Sequence, residues 1–321
     1  METQTAVKKT KIINPLFIFL GFLLFAITCL LIGAFLDLKI SSFLAGASQE
    51  DWRNHTFGNY FSFIPGLLCA LLLMFVGPLL VLTQPHKFKS LHTRIIYLII
   101  AYLLMGGAVS FCAYDGFIRE LSYSFVNTPL QSWALSWNVL FAIGVSTIVM
   151  TITSLIIHFK IKDANKHTWY KWAILVFVVL AIQWLIVFLL KQNIVRERYL
   201  WIMDPNGGKG DESLFKPWYS LIWNQSQGSG FNYASFPSGH VNWATTLIPI
   251  VLLPTIIFQR KLWAQICPIC FIVIIIAVTM FARVQPGYHF LSDTSTTVFI
   301  ASVCNLVIYL AIYRLNLIKL P

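Results

Sequence analysis

Apolar residues in this chain come in long unbroken runs rather than in strict alternation. Eight segments stand out, at approximately 15–36, 62–83, 94–113, 134–158, 170–190, 239–258, 263–282 and 290–313. Most are long enough to cross about 30 Å of hydrocarbon at about 1.5 Å of helix rise per residue. The pattern predicts an all-α, polytopic transmembrane helical bundle of about eight spans. It excludes a β-barrel, whose strands alternate over short segments. The first run follows a short polar tail with Asn14-Pro15 and ends at Asp37-Leu38-Lys39 without a small-residue cleavage site, so it reads as a retained helix rather than a signal peptide. No soluble domain, heptad repeat or low-complexity tract interrupts the series.

Composition agrees. Apolar residues make up 58% of the 321 positions and charged residues 11%, with mean hydropathy +0.74, against about 25% charged residues in soluble domains. The net charge of +11 would suggest nucleic acid in a soluble protein. Here the charges sort by side. Fourteen Lys and Arg fall in the tail before the first segment, after the eighth, and between segments two and three, four and five, and six and seven, with only Glu2 and Asp163 beside them. The other nine, Lys39, Arg53, Arg119, Lys191, Arg196, Arg198, Lys209, Lys216 and Arg283, lie opposite with ten acids. The two sides carry +12 and −1. By the positive-inside rule the first side is cytoplasmic. Both termini are expected inside, and nucleic acid is not an expected partner.

Three clusters then fall on the outer side: Lys191 to Arg198 after the fifth segment, Phe236-Pro-Ser-Gly-His240 opening the sixth, and Arg283 to Asp293 bridging the seventh and eighth. Asp293 follows His289 by four residues, which on a helix puts both on one face. A carboxylate there accepts from one ring nitrogen and leaves the other free as nucleophile or base. Pro286-Gly287 supplies a turn that folds Arg283 back toward His289. Ser238 and Gly239 let backbone amides at a helix start approach an anion, with His240 placed to exchange a proton. Lys191, Arg198 and Arg283 are cations suited to a doubly charged phosphate. Arg196 reads as an interfacial snorkelling cation. No acidic cluster offers a Mg²⁺ or Ca²⁺ site, so neither a metal nor a cofactor is expected.

Lys191-x6-Arg198, Pro237-Ser-Gly-His240 and Arg283-x5-His289-x3-Asp293 resemble, in order and spacing, the three-part signature of the type 2 phosphatidic acid phosphatase superfamily, K-x6-R-P, P-S-G-H and S-R-x5-H-x3-D. The resemblance covers roughly residues 94–313. It implies that His289 is the nucleophile, Asp293 its orienting partner and His240 the general acid. Lys191, Arg198, Ser238, Gly239 and Arg283 would form the phosphate cradle. Tyr199 replaces the signature's proline and Ala282 its serine; neither change deletes a residue with a chemical role. The family's core has six helices, which implies that residues 94–321 form that core and residues 1–93 a tail and an added N-terminal helical hairpin.

The expected activity is a metal-independent lipid phosphatase in a membrane, expected to be a bacterial plasma membrane, with its site on the extracytoplasmic face. It would hydrolyse a lipid phosphate or polyprenyl diphosphate through a phosphohistidine. A phosphotransferase with the same site is the alternative, and an anion transporter the competitor from another class. Transporter sites usually lie at the midplane, whereas these charges gather at one face. The connection 199–236 carries Trp201, Trp218, Tyr219, Trp223, Phe231 and Tyr233, read as an interfacial aromatic belt with a headgroup cap as the sharper option. Gly207-Gly-Lys-Gly210 lacks the spacing of a phosphate loop. Asn54-His-Thr56 and Asn224-Gln-Ser226 are sequons. Cys267-Pro-Ile-Cys270 and the other four cysteines read as small buried hydrophobes.

Overall fold

The computed structural model describes residues 13–45, 61–83, 129–161, 163–203, 210–220, 231–253 and 262–314, with scattered positions between 90 and 114. Its helices are α1 (Pro15–Ala45), α2 (Phe63–Leu82), α3 (Pro129–Lys160), α4 (Asp163–Asn193), α5 (Tyr199–Met203), α6 (Gly239–Thr245), α7 (Leu262–Val284) and α8 (Leu291–Tyr309). A π-helical turn, Leu310–Arg314, extends α8. Among the described residues, six helices are long and apolar enough to cross a membrane: α1, α2, α3, α4, α7 and α8. Large apolar side chains such as Phe35, Phe43, Leu103 and Phe159 face outward, as expected of helices solvated by lipid. The chain is an all-α membrane protein.

The third predicted span, 94–113, lies largely outside the described residues. The sixth, 239–258, differs from expectation and is not one continuous helix: α6 stops after 7 residues, and the chain continues as a 3₁₀ stretch, Ile248–Leu252. The cause is Pro249. A proline ring clashes with the carbonyl four residues earlier and removes a backbone donor, and α6 ends at Thr245, four residues before it. Broken helices are tolerated at membrane depth only where protein surrounds them, and residues 241–249 are all buried. The Trp172 indole donates to the Pro249 carbonyl at 2.9 Å. Gln183 on α4 donates to Asn242 Oδ1 at 2.6 Å and to Thr245 Oγ1 at 2.7 Å. These bonds tie the interrupted segment to α4.

The N-terminal helices share the main core. Phe22 of α1, Val76 of α2, Val176 of α4, Val241 of α6, Ile276 of α7 and Val298 of α8 belong to one buried cluster. The expected hairpin pairing is not their principal contact: α1 packs chiefly along α8, and α2 against α3, α4 and α6. Phe19 of α1 is fully buried, with its ring 5.2 Å from that of Tyr309. In lipid such close packing supplies most of the attraction between helices. The cysteines are not uniformly buried: Cys69 and Cys304 are, but Cys267 and Cys270 are exposed on α7. Their spacing of three puts both on one outward side.

Replacing Trp172 with Phe is expected to lower stability by about 1–3 kcal/mol, because it leaves the Pro249 carbonyl without its donor. Thermal unfolding of the detergent-solubilised protein measures this; a midpoint unchanged from wild type would show that the indole bond is not what supports the break.

Candidate active site

The C-terminal ends of α1, α4 and α7 meet the N-terminal ends of α6 and α8 at one end of the bundle. Backbone pairing brings the first two motifs together. Arg196 forms a parallel bridge with Ala234: the Arg196 amide donates to the Tyr233 carbonyl and the Ser235 amide to the Arg196 carbonyl, both at 3.1 Å. The Arg198 amide donates to the Asn232 carbonyl at 2.9 Å. Lys191, in the last turn of α4, donates to the carbonyls of Ala234 and Pro237 at 2.8 and 3.1 Å. The loop before Ser238 is therefore held from both sides, and its Phe236-Pro237 peptide is cis.

The third motif folds back as expected. The His289 amide donates to the Arg283 carbonyl at 3.1 Å, and the Gly287 amide to the Val284 carbonyl at 2.9 Å. Gly287 has φ +71°, and a Cβ there would meet Tyr199 Cδ1 at 3.0 Å and the Leu200 amide at 3.2 Å. Only glycine suits that position. The turn docks onto α5 through the Leu200 amide, which donates to the Gly287 carbonyl at 3.1 Å. Tyr199, standing where the resembled signature has proline, is buried and edge-on to Phe290 at 6.3 Å. That departure is absorbed as packing.

His289 and Asp293 do not pair as the helical spacing predicts. Phe290 is the N-cap of α8, so His289 precedes the helix and Asp293 sits in its first turn. The carboxylate accepts from the Phe290 amide at 2.8 Å, the Ser235 hydroxyl at 2.5 Å and the Arg196 guanidinium at 2.5 Å. It stands 3.9 Å from His289 Nδ1. That nitrogen instead donates to the Ser235 carbonyl at 2.5 Å. A carbonyl only accepts, so this bond holds the proton on Nδ1 and leaves the Nε2 lone pair available. Burial, then the positive charges of Arg198, Lys191 and Arg283 and the nearby His240, push the imidazole pKa well below its ordinary 6.5. The ring is neutral at neutral pH.

The cations surround this ring. Arg198 and Arg283 are both buried, and both lie over the Tyr288 ring, at 5.6 and 4.6 Å from its centroid. Tyr288 thus orients two arginines from different segments through one cation–π platform. Among the described residues, the buried Ser238 side-chain oxygen has no hydrogen-bond partner, and a Cβ built on Gly239 meets nothing within 4 Å. All eight residues singled out from the sequence gather at this end of the bundle.

Arg196 differs from expectation. It is buried, not interfacial, at 2% exposure. Its guanidinium donates to Asp293, to Ser292 Oγ at 2.8 Å and to Asp37 at 3.0 Å, and it lies 4.2 Å over the Phe290 ring. Burial of a charge demands partners in full, and the sequence offered no sign that Asp37, 159 positions away, was one. Asp37, Arg196, Ser235 and Tyr288 are the residues that spacing missed. Their proximity to the motifs along the chain was the only available signal for the last three. The sequons, Trp223 and residues 207–209 of the glycine-rich stretch lie outside the described residues.

Arg196→Met is expected to destabilise the folded protein by about 3–5 kcal/mol, since it strands two buried carboxylates. A snorkelling cation would cost little, so chemical denaturation distinguishes the two. His289 adds a pH dependence. The unfolded chain protonates it below about pH 6.5, the folded one only at lower pH, so its contribution to stability is complete above 6.5 and declines as pH falls below it.

No curated protein and no solved structure matches the chain. A family model does: the PAP2 superfamily, over residues 174–317. That stretch contains all three motifs in order, and the fold brings them together at one end of the bundle. Residues 174–317 thus match the PAP2 superfamily in sequence, and they are the part of the chain that carries the assembled site.

Proposed function

We propose that this protein is an integral-membrane, metal-independent lipid phosphatase that hydrolyses a lipid phosphate or diphosphate at the extracytoplasmic face. The match of residues 174–317 to the PAP2 superfamily supports phosphatase-type activity at the coarse level, and six apolar helices support the membrane setting. The observation that carries the finer reading is the neutral His289 ring, fixed through Nδ1 and ringed by Lys191, Arg198 and Arg283. Arg196 is paired with Asp37 and Asp293, so Lys191, Arg198 and Arg283 are the cations beside the ring that would meet a dianionic phosphoryl group.

In this reading His289 Nε2 attacks phosphorus and the P–O ester bond breaks. His240 gives its proton to the departing alkoxide. His240 then takes a proton from water, the water oxygen attacks phosphorus, and the P–N bond breaks to release phosphate and restore the neutral imidazole. Arg198, Arg283 and Lys191 stabilise charge on the equatorial oxygens. The Ser238 hydroxyl, without a partner among the described residues, supplies one further donor. Both buried carboxylates are already committed to hydrogen-bond donors, which supports a route without a metal. The setting supports a lipid substrate, since a site at the ends of spanning helices would receive it at the membrane surface.

The test is phosphate release from phosphatidic acid and polyprenyl diphosphate by purified protein in detergent. His289→Ala is expected to abolish turnover while inserting normally, and activity should survive a chelator. Retained hydrolysis in that variant would sink the nucleophile assignment; loss on chelation that Mg²⁺ restores would sink the metal-free route. Transfer only to an added alcohol would identify a phosphotransferase. The acid limb of kcat/KM is expected below pH 6.5, as the depressed His289 pKa requires.

A further inference from the structure

The first helix lies outside the stretch matched by the family, yet it carries a carboxylate that is buried at the site. Asp37 is 2% exposed. It accepts from Arg196 at 3.0 Å, from the Ser292 amide at 2.9 Å and from the Ser292 hydroxyl. An ionisable group inside a spanning helix is expensive and calls for a functional explanation. The surroundings are shaped to receive it. Gly33, one turn earlier, faces the start of α8: a Cβ there would come within 2.8 Å of Asp37 Oδ1 and 3.0 Å of the Ser292 Cβ and amide nitrogen. Any other residue would push α1 and α8 apart and withdraw the carboxylate.

We propose that Asp37 is a positioning residue of the active site, acting on His289 through Arg196, Ser292 and Asp293. The inference rests on the phosphatase reading given above. Arg196 divides its amino groups: Nη1 serves Asp293 and Ser292, and Nη2 serves Asp37. Without the Asp37 charge, the guanidinium turns its full field on Asp293. Asp293 is then drawn away from Ser235, whose hydroxyl it accepts and whose carbonyl fixes His289. Asp37 also clamps Ser292, the residue before Asp293, through both its amide and its hydroxyl. α1 is therefore part of the catalytic apparatus, although its sequence carries no catalytic motif.

The groups facing His289 are Lys191 from α4, Arg198 from the following loop, His240 from α6, Arg283 from α7 and Asp293 from α8. Removing the Asp37 charge leaves the cations less opposed, so the acid limb set by His289 moves to lower pH. A purely structural Asp37 would reduce the amount of folded protein but leave the pH profile of the folded fraction alone.

The experiment compares full-length wild type, Asp37→Asn and Ser292→Ala in detergent, by kcat and KM on phosphatidic acid, by pH profile, and by affinity for orthovanadate. Asp37→Asn is expected to lower kcat about 10-fold or more, as small misplacements of reacting groups do. KM should stay within about twofold, the acid limb should move down, and vanadate should bind more weakly. A folded Asp37→Asn protein with wild-type kcat, pH profile and vanadate affinity overturns the proposal. Should that variant not fold, Ser292→Ala decides, since it removes only the hydroxyl shared by Asp37 and Arg196. A smaller loss in the same direction supports the proposal, and wild-type behaviour overturns it. If wild type itself binds vanadate but releases no lipid phosphate, the substrate reading fails, while the vanadate comparison still decides on Asp37. If wild type does neither, the phosphatase reading fails and takes the proposal with it.

Discussion

The site depends on one buried charge arrangement, a guanidinium held between two carboxylates. Arg196 bridges Asp37 and Asp293, each with a side chain about 1% exposed or less. Removing ions from water costs several kcal/mol apiece, recovered only when geometry and hydrogen bonding are complete. Here they are: every arm of Arg196 has an acceptor, including the Lys216 carbonyl for Nε at 3.2 Å. Three chain segments far apart in sequence are thereby fixed to one another. The Ser235 carbonyl that orients His289, the first turn of α8 and the end of α1 all take their positions from this group.

Around that anchor the membrane imposes its own constraint. A bilayer interior supplies no hydrogen bonds, so each irregular backbone segment must be satisfied by protein. The Pro249 break meets this requirement with the Trp172 indole, and the Gln183 amide ties the turn above it to α4. Ser238 and His240 stand at the beginning of α6, at the end of the bundle where α4 and α7 also terminate.

The electrostatics of the site separate two kinds of positive charge. Arg196 is neutralised locally and serves structure. Lys191, Arg198 and Arg283 are held by carbonyls and by the Tyr288 ring, which position a cation without cancelling it. Those are the charges left to act on an anion. Burial first, and then those same charges, hold His289 in its neutral form.

The sequence alone determined what depends on composition and local spacing. Long apolar runs specified spanning helices because hydrocarbon accepts little else. Lys191, Arg198, Ser238, His240, Arg283 and His289 were legible because their spacings form a recognisable pattern. The return of Arg283 toward His289 was legible because Pro286-Gly287 makes a turn by local chemistry. The partnership of His289 was not. The interval of four to Asp293 implies a helical pair only if both residues are helical, and α8 begins two residues after His289. The burial of Arg196 and the role of Asp37 were decided entirely by tertiary structure. Whether a cation at a helix end faces lipid headgroups or a carboxylate depends on which helix packs beside it, and α1 beside α8 is a contact between opposite ends of the chain. Local pattern carries no information about that, because the energy of a buried ion pair resides in its partner and not in either residue.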